Sequence, residues 1–174
     1  VGKDALYANT TGGSNIAVGH NTLDANTTGS YNTSVGKGAL GANSTGANNT
    51  GFGFAALAAN TVSSNTALGY QALTANTTGA SNTAVGSNAG AALTTGGYNT
   101  AIGMEALLTA TTASSNTALG REALKANTSG ASNTALGRDT LQSNTTGSDN
   151  VAVGHNALDS NTTASNNVAI GAGA

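Results

Sequence analysis

Residues 116–137 read NTALGREALKANTSGASNTALG, so the pentapeptide that opens the stretch returns after 17 residues. Aligning the chain on the closing glycine gives Gly2, Gly19, Gly36, Gly53, Gly69, Gly86, Gly103, Gly120, Gly137, Gly154 and Gly171. Every step is 17 residues except Gly53 to Gly69, which is 16. The consensus is N-T-A-[VLI]-G-x-x-A-L-x-A-N-T-T-G-x-S, and about ten copies fill the chain. Self-similarity at a short fixed period is the signature of a solenoid or array and outranks any local motif.

Composition points the same way. Aromatic residues are 3% of the chain and charged residues 7%, and proline and cysteine are absent. Few large side chains remain to fill a thick core, so one ordinary compact globule is not expected. Disordered chains are usually rich in proline and charge, whereas here leucine, valine and isoleucine recur at set intervals.

The net charge of −2 offers no basic surface, so no nucleic acid partner is expected. No apolar run approaches a membrane span, so no membrane insertion is expected. Without cysteine there are neither disulfides nor thiolate metal sites.

The repeat divides into three parts. In NTAVG, Thr83 and Val85 fall on one face and Ala84 and Gly86 on the other, the period of two of a short strand. The segment REALKAN holds good helix formers and is long enough for one helical turn. NTTGxS is turn chemistry, in which glycine permits a positive φ and asparagine or threonine bonds nearby backbone.

The expected fold is all-β, a β-solenoid of about ten 17-residue coils, each contributing one short strand, a bend and a turn. Stacked about 4.8 Å apart, ten coils make a rod on the order of 50 Å long. Equivalent asparagines would then lie above one another in a structural ladder running Asn15, Asn32, Asn49, Asn65, Asn82, Asn99, Asn116, Asn133, Asn150 and Asn167. Two large aliphatics per coil, the leucine four residues after the glycine and the residue just before it, are expected inside, with the drifting positions in water. That is a thin core for a lone chain. The flat Ala/Gly face of the strand is therefore expected to pack against another chain, making a homotrimer.

Two irregularities leave the strand intact. The 16-residue repeat carries NTVSSNT at 60–66 and lacks the turn glycine; at 87–98, SNAGAALTTGGY places Gly90 in the leucine column and Leu93 in an asparagine column. The chain, residues 1–174, is expected to be a single repeat array and a segment of a longer fibre, without capping repeats.

Candidate chemistry is sparse. His20 and His155 occupy equivalent positions eight repeats apart, too far to share a metal, and no cofactor or metal is expected. Glu105, Glu122 and Asp139 share a column beside Arg121 and Arg138, a solvated charge pattern without a cleft, so no catalytic residues are expected and the chain is not expected to be an enzyme. The column Thr10, Thr27, Ser44, Thr61, Thr77, Thr94, Thr111, Thr128, Thr145 and Thr162 admits a second reading, an ice-binding hydroxyl array, although turn chemistry explains the same residues. A third reading is a polysaccharide-binding or polysaccharide-cleaving spike, with Tyr7, Tyr31, Phe54, Tyr70 and Tyr98 available to stack on sugars.

The motifs NTAVG, NTALG and NTAIG followed by xxALxANTTGxS resemble the repeats of phage and phage-like tail-fibre proteins. Residues 116–120 and 133–137 are also similar to the NSVALG-like motif of trimeric autotransporter adhesin heads. The resemblance spans essentially the whole chain. It implies a homotrimeric β-solenoid fibre, extracellular, at a cell surface or on a virion. Its role would be structural support for attachment, with any cell-surface glycan or receptor engaged through regions outside this segment.

Overall fold

A computed structural model describes residues 2–174; Val1, where the array begins, lies outside the described residues. Ten three-residue strands follow one another in chain order: β1 (Ile16–Val18), β2 (Thr33–Val35), β3 (Thr50–Phe52), β4 (Thr66–Leu68), β5 (Thr83–Val85), β6 (Thr100–Ile102), β7 (Thr117–Leu119), β8 (Thr134–Leu136), β9 (Val151–Val153) and β10 (Val168–Ile170). They form one parallel sheet in the order β1 to β10. Pairing is in register, with Thr117 beside Thr134, Ala118 beside Ala135 and Leu119 beside Leu136. The chain is a β-solenoid with one strand per coil. Nine inter-strand steps of about 4.8 Å make the sheet about 43 Å long.

The stretch long enough for one helical turn forms the bend of the coil instead; among the described residues there is no helix. The reason lies in the backbone. Besides the closing glycine, each coil visits the left-handed region at the second and fourth residues after it and at the residue before the ladder asparagine, as at Glu122 (φ 56°), Leu124 (φ 53°) and Ser132 (φ 57°). These reversals let 17 residues close on themselves, which a right-handed turn of REALKAN would prevent.

Inter-coil hydrogen bonds fix them. The Glu122 N–H donates back to Met104 O at 2.9 Å, while the Leu124 N–H donates forward to Thr140 O at 3.0 Å. A left-handed leucine costs about 1–2 kcal/mol, and burying its side chain contributes roughly 1.5–3 kcal/mol. With these bonds added, the balance favours the observed turn.

The closing glycine is required twice over. From Gly19 to Gly171 its φ lies between 126° and 142°. From Gly19 to Gly154, a Cβ there would come within 2.2–2.7 Å of the next glycine's carbonyl oxygen. Any side chain would push successive coils apart.

The interior differs from the sequence expectation in one respect. The leucine column is inside, with Leu23, Leu40, Leu57, Leu73, Leu107, Leu124 and Leu141 essentially inaccessible. The alanines of the strands are inside with it, as Ala67, Ala84, Ala118 and Ala135 show. The aliphatic residue before the glycine points out instead: Val18, Phe52, Leu68 and Leu119 are 44–50% exposed. A coil with a single strand is too narrow for two large side chains across its width, so leucine fills it and only small residues fit opposite. The Ala/Gly face is thus core, and the bulky face is surface.

Both irregularities are absorbed locally. Gly90 keeps the left-handed geometry (φ 58°) but brings no side chain, and Leu93, 1% exposed, occupies the core of that coil. In the short coil the Val62 carbonyl stands where the turn glycine's would, accepting from Asn49 Nδ2 and Asn60 Nδ2, both at 2.7 Å. Where hydroxyls replace alanine in the core they find partners: those of Thr22 and Ser34 lie 2.6 Å apart, and Thr140 Oγ1 donates to Gly154 O at 2.6 Å.

Candidate functional site

The most elaborate side-chain arrangement is the asparagine ladder. Each member from Asn15 to Asn150 uses both ends of its amide toward the next coil. Asn116 Oδ1 accepts the backbone N–H of Asn133 at 2.9 Å, and Asn116 Nδ2 donates to Gly130 O at 3.0 Å. The backbone-to-Oδ1 contact repeats without a break from Asn15 to Asn167 at 2.9–3.0 Å. The members from Asn32 to Asn150 are buried. A buried amide with donor and acceptor both satisfied fixes register, because sliding one coil would orphan several groups together.

A second ladder was not singled out as a site from sequence. Asn26, Asn43, Asn76, Asn127 and Asn144 each donate Nδ2 to the carbonyl of the glycine three residues on, closing their own turn at 2.8–3.0 Å. They also touch one another between coils, as Asn144 Nδ2 does Asn127 Oδ1 at 3.0 Å. Leu93 and Ala110 interrupt this column. At the break Asn76 Oδ1 is buried without a hydrogen-bond partner. The three-residue spacing from asparagine to glycine was the available signal, since it is the reach of a side chain capping its own turn.

The turn threonines have a defined use. From Thr10 to Thr145, Ser44 apart, each first-column hydroxyl donates to a carbonyl of the next coil at 2.9–3.3 Å. Their donors are spent within the stack.

Charged side chains gather in a late stretch of the solenoid. Glu122, only 7% exposed, is ringed by Arg121, by Lys125 at 3.1 Å and by Gln142 Nε2 at 2.8 Å, and Lys125 also reaches Glu105 at 2.8 Å. The Arg121 guanidinium, then Lys125, hold the Glu122 carboxyl below its ordinary value. Glu105, then Glu122, raise the Lys125 ammonium. The column expected to be solvated is therefore a cross-coil clamp.

His20 and His155 remain far apart on the shaft, and His155 contacts Arg138. Among the described residues no three His, Cys, Asp or Glu side chains converge as metal ligands, and no pocket is formed. Among the described residues no helix is long and apolar enough to cross a membrane. Of the aromatics, Phe54 and Tyr70 stack, with ring centroids 5.3 Å apart and planes 12° from parallel. Tyr7, Tyr31 and Tyr98 stand singly and exposed.

The class defined by these features is a β-solenoid repeat protein whose polar side chains serve coil-to-coil contacts. Comparison with known protein families, curated proteins and solved structures gives no match.

Proposed function

We propose that the chain is a stiff spacer, a shaft segment of a tail-fibre-like or adhesin-like protein. It works outside the cytoplasm as a homotrimer and carries no enzymatic activity of its own. Attachment to a cell-surface glycan or receptor then falls to parts of the fibre outside these residues. The observation that supports this most directly is the unbroken in-register stack of ten strands and ten ladder asparagines. Such a stack adds length with each repeat while keeping its cross-section. The committed turn hydroxyls and the scattered tyrosines give less support to an ice-binding array or a glycan-binding spike.

The test has two arms. Inserting ten consensus coils should lengthen the particle by about 48 Å at constant cross-section, read by small-angle scattering or electron microscopy. Growth in all dimensions, as for a globule, would refute the spacer. Specific binding of the chain to a glycan array, or thermal hysteresis in its solutions, would overturn it in favour of a recognition surface.

A further inference from the structure

Among the described residues nothing covers the outward face of the sheet. Parallel sheets occur almost only with both faces covered. Here the inner face is closed by the leucine column, and the outer presents a line of valine, leucine, isoleucine and phenylalanine, one per coil, beside a line of threonines. None of the ten strands contains a charged residue. Toward each end the threonine line itself becomes apolar, at Ile16, Val151 and Val168. Beside Phe52 and Leu68, the stacked Phe54 and Tyr70 widen the stripe.

A face about 43 Å long and, at three residues per strand, about 10 Å wide has an area on the order of 430 Å². That is within the range of the largest apolar patch a monomer exposes, and patches of this size are often functional. Doubled across one pair of shafts it gives about 860 Å², a weak contact by itself, to which the flanking Phe54, Tyr70 and Met104 add.

We propose that this face is where the chain packs against further copies of itself, shaft alongside shaft. The occupant follows from the match. A second copy brings the same inter-coil spacing, the same length and the same charge-free strands, so every coil finds a partner. A partner recognised by charge finds no charged residue in the strands themselves, where Lys37, Arg121 and Arg138 stand only at the flank, and one with another period would meet only a few coils. The proposal rests on the homotrimeric shaft reading and names the face it uses; it replaces the Ala/Gly face suggested by the sequence, which is buried.

Sedimentation velocity and native mass measurement on the full chain form the first test, with Leu119→Asp on the face and Thr112→Asp on an exposed turn. The wild type and Thr112→Asp should be oligomeric. Leu119→Asp should keep its β circular dichroism while associating at least 10-fold more weakly. Should that variant fail to fold, cysteine substitution gives a second readout, since the chain has no cysteine. Val85 lies in β5, near the middle of the sheet, and so comes close to its counterpart whichever way the neighbouring shaft runs. A short bis-maleimide should link Val85→Cys chains and leave Thr95→Cys chains unlinked. A monomeric wild type overturns the proposal and the homotrimer with it, while leaving the spacer role intact. An oligomer indifferent to Leu119→Asp and linked through Thr95→Cys keeps self-association but refutes this face.

Discussion

Replacing Asn82 and Asn133 by alanine, one at a time, should have unequal costs although both belong to the same ladder. In each variant one buried backbone N–H loses its acceptor, that of Asn99 or that of Asn150, bonded at 2.9 and 3.0 Å. The carbonyl that each amide serves then makes the difference. Gly147 O accepts from Asn133 Nδ2 at 2.8 Å but also from Asn144 Nδ2 at 2.9 Å, so it keeps a donor. Gly96 O accepts from Asn82 Nδ2 at 2.9 Å, and the second-ladder position of that turn is Leu93, which cannot donate.

Each unsatisfied buried group costs about 1–3 kcal/mol. Asn133→Ala should therefore lose about 1–3 kcal/mol and Asn82→Ala about 2–6 kcal/mol, a gap of one orphaned carbonyl. Urea denaturation followed by circular dichroism, at one protein concentration for all variants, reads the gap as a difference in midpoint at unchanged slope. Equal losses, or a larger loss for Asn133→Ala, would refute the idea that the two ladders share the turn carbonyls.

Gly120→Ala combines an unfavourable φ of 141° with a Cβ 2.3 Å from Gly137 O, and should cost on the order of 3 kcal/mol or more, read by the same denaturation. Leu93→Asn should lose about 2–5 kcal/mol by emptying the core, and Gly90→Leu added to it should recover most of that loss, since the pair restores the consensus. Thermal melts compare the single and double variants; no recovery would show that Leu93 does not stand in for the missing leucine. Glu122 has its folded pKa depressed by Arg121 and Lys125, so the stability it adds is present above the ordinary carboxylate range and lost as pH falls through the folded value. The denaturation midpoints of the wild type and Glu122→Gln should thus differ at pH 7 and converge below about pH 4; a difference that grows in acid would have the wrong sign. Lys125, raised by Glu105 and Glu122, acts oppositely, its contribution persisting below the ordinary lysine range and fading as pH rises through its folded pKa.

The 17-residue period, the register of the coils and the stacked asparagines were legible because a repeat that returns to itself stacks like on like. The glycine column was legible for the same reason, since nothing larger ever stands there. What the letters left open was direction. In a strand of three residues, alternation separates Thr117 and Leu119 from Ala118 but does not say which set faces in, and hydrophobicity alone favours leucine. A signal was nonetheless present: the inner column holds only Ala, Ser34 and Gly51, whereas the outer one admits Phe52.

Only the closed coil turns that size limit into an orientation, because a leucine in the left-handed region occupies the narrow interior and leaves room for a methyl group across from it. The left-handed leucines, the second ladder capping its own turns and the clamp around Glu122 depend likewise on which atoms meet between coils. The repeat sets the order of the coils, and the width of the solenoid decides what each of them can hold.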